Sequence, residues 1–313
     1  MSEIDVSIII PTHNRQPLLA EAIESIRRQR GVRWEVIVVD DASTDGTWAW
    51  LCTHGDPRIT ALRQDVSRRQ AAARNRGLAH ARGPFVLFLD DDDLLWPQAL
   101  HTLSTALRSH PAAVAAIGAR EDWFTWQNYR RREVHPRRTV LRDVTPDLFA
   151  GWSAIPSQTL FRTDLIRVVG GFREALVPCE DRDMLHRVAM RGPVVFCPDP
   201  VVTYRITPAQ WRPTNIRALR EEVARRAIRR LPKAQWRAAL QRRRFVRFID
   251  RAEDECTTGS LLRALPLVVR ACVAAPAVLS SPTLVRWVAR RLAGRIARRV
   301  VPARSVSPGT STS

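Results

Sequence analysis

Through the first half of the chain, apolar runs of strand length alternate with longer stretches of helical period. The strands this predicts are Val6 to Ile10, Glu35 to Val39, Ile59 to Arg63, Phe85 to Leu89 and Val114 to Gly118. Between them the pattern predicts helices over Leu18 to Arg28, a short one capped by Ser43-Thr44-Asp45, Arg69 to Ala81, and Pro97 to Arg108 with its proline in the first turn. Strands that alternate with helices in this way predict a doubly wound α/β unit. Two of the strands, EVIVV and FVLFL, run straight into Asp40-Asp41 and Asp90-Asp91-Asp92-Asp93. Carboxylates are thereby gathered at the carboxyl edge of the sheet, where open α/β sheets bind ligands.

The regularity fades from residue 111 to 214, which holds Trp123, Trp126, Trp152 and Trp211, an Arg-rich stretch at Arg130 to Arg138 and a loop signal at Gly170-Gly171. Mixed strands and helices forming a second cleft wall are expected there. A helix opens at the acids of Glu180-Asp181, and a strand follows at Val194 to Phe196. Beyond Pro213 come Ala-, Arg-, Leu- and Val-rich helical segments broken at Pro232, Pro266, Pro276 and Pro282. On a helical wheel, Val285, Val288, Ala289, Leu292, Ala293, Ile296 and Val300 fill one arc, with most nearby arginines outside it. The final SVSPGTSTS has the composition of a disordered end.

A chain of 313 residues, 45% apolar and 26% charged, is long enough for a full core. Its net charge of +19 is unevenly placed: residues 1 to 214 carry 28 basic and 25 acidic side chains, residues 215 to 313 carry 22 and 6. The charge therefore belongs to the tail. Five scattered cysteines without a CxxC pair suggest neither a disulfide framework nor a zinc site. The N-terminus lacks the basic residues and apolar length of a signal peptide. Ala271 to Val285, 15 residues interrupted by prolines, falls short of the roughly 20 needed to span a membrane.

Four consecutive aspartates after a buried strand repel one another unless a cation or a set of donors neutralises them. A divalent ion such as Mg²⁺ or Mn²⁺ would do so and would bridge to the phosphates of a nucleotide; an acidic turn capping the next helix is the plainer alternative. The blocks VSIIIPTHNR, EVIVVDDASTDGT, AAARNRGLAHARG and FVLFLDDDDLLWPQAL, in that order, resemble the family 2 glycosyltransferases of the GT-A fold over about residues 4 to 205. The resemblance implies a nucleotide-binding α/β/α sandwich with a mixed sheet. It also implies an inverting transfer of a sugar from a nucleoside diphosphate, a UDP-sugar in the first instance, to an acceptor hydroxyl with Mn²⁺ or Mg²⁺ as cofactor.

Carried onto this chain, the resemblance puts Pro11, Thr12 and Asn14 beside the nucleoside, and Asp40 and Asp41 around the base and ribose, Asp41 accepting a base N–H. Asp90 and Asp92 are the outer members of an Asp-x-Asp signature, with Asp91 between them on the nucleotide, Asp92 as direct metal ligand and Asp93 capping the next helix. Arg68 and Arg69 stand where relatives commonly have a glycine pair, and Arg69 or Arg74 either pairs with the diphosphate or ends a solvated helix. Glu180-Asp181 matches the motif whose carboxylate takes the acceptor proton, with Asp181 as general base and Asp183 as runner-up. The chain departs from the pattern after Tyr204-Arg205, where Ile206-Thr207-Pro208 replaces a histidine that many relatives have, so metal binding rests on the aspartates.

The expected organisation is a nucleotide-sugar-binding half at 1–110, an acceptor-binding half at 111–214 and a basic helical extension at 215–313. The extension fits an anionic membrane surface, which uses both its arginines and its apolar arc, or a helical layer packed on the catalytic domain. Nucleic acid would not need the apolar arc. A binding protein that has lost turnover is a further alternative, while no GxGxxG follows the first strand to suggest a dehydrogenase. The partners expected are a nucleotide-sugar donor and a glycan or lipid-linked acceptor. The expected location is the cytoplasm, with the chain either soluble or peripheral at the inner face of the membrane.

Overall fold

A computed structural model describes residues 4–53, 55–132, 138–149, 153–207, 216–258 and 261–276. The elements run β1 (Val6–Thr12), α1 (Gln16–Arg27), β2 (Trp34–Asp40), α2 (Thr47–Cys52), β3 (Ile59–Arg63), α3 (Arg69–His80), β4 (Phe85–Phe88), β5 (Leu94–Leu95), α4 (Ala99–Ser109) and β6 (Ala115–Phe124). They continue with β7 (Tyr129–Arg132), β8 (Val140–Arg142), α5 (Thr145–Phe149), β9 (Thr159–Arg162), α6 (Thr163–Val168), α7 (Glu180–Ala189), β10 (Val194–Ile206), α8 (Ile216–Ile228), α9 (Lys233–Thr258) and α10 (Leu261–Ala274). Two compact units result, residues 1–145 with 153–227, and residues 146–152 with 228–313.

The first unit is an α/β sandwich on one mixed sheet of order β3-β2-β1-β4-β9-β6-β10-β5, with β7 beside β6 and β8 beside β10. Its β3-β2-β1-β4 half is parallel. Every residue of β1 and β2 is buried, as strands covered on both faces require. Because side chains alternate along a strand, Val6, Ile8 and Ile10 join a core with Leu19, Ile23 and Ile26 of α1 and Leu100, Leu103 and Leu107 of α4. Ile9 faces the other way, onto α3. There a Cβ at Gly77 would lie 2.4 Å from Ile9 Cγ2, so helix and strand meet at a distance only glycine permits. The same helix holds a loop through Asn75, whose Nδ2 donates to Phe172 O and whose Oδ1 accepts from Phe172 N, both at 2.8 Å. This fixes Gly171, which has φ +59°.

The expected strands and helices of the first 110 residues form, with ends displaced by a few residues; α4 starts at Ala99 after Gln98, so Pro97 precedes the helix instead of standing in its first turn. Two strands run further than their apolar patterns. β6 continues through Glu121 and Asp122, which pair across to Arg130 and Arg131 of β7 at 2.8 and 2.6 Å, so charge complementarity rather than burial carries it on. β10 continues past Phe196 through two prolines by shifting register at Pro200. The sheet crosses residue 110 without a break, because β9 lies antiparallel between β4 and β6. The compact unit also passes the composition change at 214, since Val223 of α8 packs on Leu176 and Cys179.

In the second unit, α9 and α10 share cores in which Phe245, Val246 and Ile249 meet Ala271 and Ala275, and Ala252 meets Ala264. Lys233, Arg237, Arg244, Arg247 and Arg251 are exposed, and at about 100° per residue they fall on one face of α9. Leu265, Val269 and Val273 are exposed along α10. Among the described residues no helix is long and apolar enough to cross a membrane. The arc from Val285 to Val300, Trp152, Trp211 and the C-terminal SVSPGTSTS lie outside the described residues.

Candidate active site

Parallel strands β1 and β2 end in register at Thr12 and Asp40, and β4 leads into the aspartates, so three loops meet at one sheet edge. Pro11 is buried in β1, paired in register with Val39. Thr12 Oγ1 donates to Asp91 Oδ2 at 2.8 Å, and Arg15 Nη1 donates to Asp91 Oδ1 at 3.0 Å and Asp92 Oδ2 at 3.1 Å. Asn14 takes the left-handed conformation at φ +55°, where its Oδ1 accepts from the N–H groups of Thr44 and Asp45. Asp40 Oδ1 accepts from Ser43 N, and Oδ2 faces Arg63 Nε at 3.5 Å.

Asp41 differs from its expected role. Its Oδ1 accepts from Gln64 Nε2 and Arg68 N, and its Oδ2 from Ser67 Oγ and Arg69 N. Each oxygen already has two donors, which leaves no vacant acceptor for a base N–H. Asp41 instead ties the segment from Gln64 to Arg69 to the end of β2. Arg69 stands exposed at φ +68°, the backbone conformation that glycine adopts without strain.

The four aspartates diverge. Asp90 takes Arg74 Nη2 at 2.5 Å, while its backbone N–H donates to Ser157 Oγ at 3.1 Å. Burial raises the Asp91 carboxyl above its usual range against the pull of Arg15 and Thr12. Burial and the neighbouring Asp90 and Asp91 push Asp92 up to about 6, and burial with Asp90 and Asp92 raises Asp93 well above its usual value. Asp93 does not cap α4. Its Oδ1 accepts from Arg205 N at 3.1 Å, tying the loop to β10.

Mn²⁺ or Mg²⁺ suits these residues. Asp90 and Asp92 offer hard oxygen ligands, the cluster is short of positive charge, and a guanidinium already stands across Asp91 and Asp92 as a stand-in cation. Among the described residues no group of three or more His, Cys, Asp or Glu side chains is arranged to hold a metal. That fits an ion taking one or two carboxylates here and its other ligands from a diphosphate and water.

On the second wall, α7 begins at Glu180. Glu180 is buried, its Oε1 accepting from Arg74 Nη1 at 2.8 Å and Gln70 Nε2 at 2.6 Å. Arg74 is therefore neither a solvated helix end nor directed at a ligand; its guanidinium is enclosed between Asp90 and Glu180, over the Phe172 ring at 5.2 Å. Burial raises Asp181 above the usual carboxyl range, opposed by Arg182 and Arg74. Asp181 is partly exposed and lies close enough to Asp90 to feel its charge. Asp183, the runner-up base, is taken up by Arg173 at 3.0 Å and Arg187 at 2.8 Å.

Sequence reasoning missed Arg15, Gln70 and Ser157, and misread Arg74. The run Ala71-Ala72-Ala73 with Gly77 carried a usable signal: small residues on consecutive turns mark a helix pressed against a sheet, which places the next residue, Arg74, in the interior. For Arg15 and Ser157 there was no periodicity to read, since loop geometry alone aims them.

The family profile described as Glycosyl transferase family 2 matches residues 7–170. An uncharacterized protein of Mycobacterium tuberculosis is 32% identical over 231 residues, 70% of this chain and 72% of that one. One from Sinorhizobium fredii is 33% identical over 59% of this chain, which spans a fifth (20%) of that relative's length. Over 30% of this chain and 37% of its own length, an Escherichia coli protein named UDP-Glc:alpha-D-GlcNAc-diphosphoundecaprenol beta-1,3-glucosyltransferase WfgD is 37% identical. In fold the chain is similar to S. aureus TarS 1-349 in complex with UDP-GlcNAc, at TM-score 0.68 and 18% identity, covering 96% of this chain and 93% of that one. It is also similar to the mannosyltransferase PcManGT from Pyrobaculum calidifontis with GDP-Man and Mn²⁺, at TM-score 0.54 and 24% identity over 96% and 88%.

Proposed function

The chain belongs to glycosyl transferase family 2, and we propose from that premise that it moves a sugar from a UDP-sugar to an acceptor hydroxyl by metal-assisted inverting displacement. One observation carries the reading. Arg74 joins Asp90, on the loop with the metal-suited carboxylates, to Glu180, the neighbour of the proposed base, so that donor-side and acceptor-side carboxylates share one site.

Pro11, Thr12 and Asn14 border the nucleoside with Asp40, while Asp41 shapes the adjoining loop and Arg69 reaches the diphosphate. Asp90 and Asp92 hold Mn²⁺ or Mg²⁺, which when bound neutralises charge on the diphosphate. The acceptor oxygen attacks the anomeric carbon from the face opposite the diphosphate; the new C–O bond forms as the bond to the leaving phosphate breaks. The acceptor proton passes to a carboxylate oxygen of Asp181, whose burial makes it a stronger base than a solvated aspartate. Glu180, whose Oε1 accepts from Gln70 and Arg74, holds Arg74 and the start of α7.

The acceptor is a glycan, lipid-linked as in the name of the E. coli relative, and the basic residues beyond 228 bring the site to an anionic membrane surface. Cytoplasmic and peripheral at the inner leaflet is the corresponding location. A panel of UDP-, GDP- and TDP-sugars assayed for hydrolysis and transfer with Mn²⁺ or with EDTA tests the proposal. UDP release that needs the metal is expected. Turnover with no donor, or equal turnover in EDTA, would sink the donor and the metal assignments respectively.

A further inference from the structure

We propose that Arg15 is a built-in counter-cation of the donor site that competes with the divalent ion for Asp92; the inference rests on the metal-assisted reading above. Asn14, held in the left-handed conformation by Thr44 and Asp45, turns the chain so that Arg15, at the start of α1, reaches across to the aspartate loop. One guanidinium nitrogen then bridges Asp91 Oδ1 and Asp92 Oδ2 at 3.0 and 3.1 Å.

The exposures are unequal in an informative way. Arg15 keeps 48% of its side chain in solvent, against 7% for Asp91 and 11% for Asp92. The carboxylates are fixed in the protein while the cation stands on the solvent side, so the arginine can leave without exposing a core. A buried carboxylate without a cation is costly, and the arginine lowers that cost when no metal is present. An ion entering on Asp92 meets a like charge at the same oxygen and must displace it. The arrangement keeps the site folded without metal and weakens metal binding until a diphosphate adds its own charge.

The test uses full-length protein and Mn²⁺ alone, with bound ion read from the loss of the free Mn²⁺ resonance and from the rise in Tm. Arg15→Gln should bind Mn²⁺ about three- to tenfold tighter than wild type, and gain more Tm from it, while melting lower without metal. Arg15→Lys, which keeps the charge but not the planar fork, should fall between. Should Arg15→Gln not fold by circular dichroism, Arg15→Lys compared with wild type carries the same ordering. Unchanged or weaker Mn²⁺ binding in a folded variant overturns the counter-cation inference and leaves the metal reading standing. Absence of Mn²⁺ binding in all three proteins overturns both.

Discussion

Arg74 and Glu180 pair at 2.8 Å with 2% and 1% of their side chains exposed. The same guanidinium reaches Asp90, so a helix that looks in sequence like a donor-side element supports both walls of the site. Burial works against the charged guanidinium, but the carboxylates of Asp90 and Glu180 outweigh it and raise the proton affinity above the ordinary value, so it stays charged at any working pH.

Arg74→Met therefore strands two carboxylates rather than deleting one favourable pair. A loss of about 3–5 kcal/mol in urea unfolding is expected. Arg74→Lys should recover only part of it, because an ammonium lacks the fork that serves both partners. A Met variant within 1 kcal/mol of wild type would mean that the pair contributes little.

Asp181→Asn keeps the shape of the side chain and removes its basicity. Transfer should fall by about a hundredfold or more, while UDP binding by calorimetry stays within a few-fold. Near-normal turnover would move the base to Glu180, whose Oε2 has no hydrogen-bond partner among the described residues, because both oxygens of Asp183 are occupied by arginines.

Arg69 adopts φ +68° although it carries a Cβ. Arg69→Gly should therefore stabilise the protein by roughly 0.5–1 kcal/mol, while weakening donor binding if its guanidinium meets the diphosphate. Thermal melts and UDP titration separate the two effects.

Much of the first half of the chain was legible because its strands are buried on both faces and therefore read as apolar runs. The aspartate cluster and the Glu180 helix start could be read for the same reason: each follows directly from an element boundary. What sequence could not provide was the direction of single side chains. Asp93 reads as a helix cap by position, yet it bonds Arg205 across the sheet. β6 beyond Gly118 has no apolar pattern, and its pairing became visible only with the arginines of β7 opposite.

Far from the site, Asp5 accepts from Arg33 N and Nε at 2.9 and 3.0 Å and from Arg108 Nη2 at 2.5 Å. The Arg33 hydrogen bonds hold its carboxyl down at about 2. A carboxyl lowered on folding contributes stability above its ordinary value near 3.8, and that contribution is lost as pH falls towards 2. Asp5→Asn should be less stable than wild type by a constant margin from pH 5 to 8, with the margin closing below pH 4. A margin that persists at pH 2 would point to packing, not charge.

The cations on one face of α9, with the exposed apolar residues of α10, predict association with anionic vesicles and not with neutral ones. Each basic residue near such a surface is worth about 1 kcal/mol. Replacing Lys233, Arg237, Arg244, Arg247 and Arg251 by glutamine in the full chain should abolish cosedimentation at low salt. Unaltered binding would move the contact to another part of the chain.

Asn75 acts towards Phe172 as a neighbouring strand would, one donor and one acceptor facing the complementary pair. Phe172 in turn packs edge-on against Phe88 and lies beneath Arg74. Hydrolysis of that single amide, in which water adds and ammonia leaves so that an aspartate remains, is the commonest ageing reaction of asparagine and changes the chain by almost nothing in mass or volume. It would nevertheless set a carboxylate against the Phe172 carbonyl, turning one of the two bonds into a repulsion. Stored protein could then lose the aromatic floor under its central arginine while every element of the fold stayed in place.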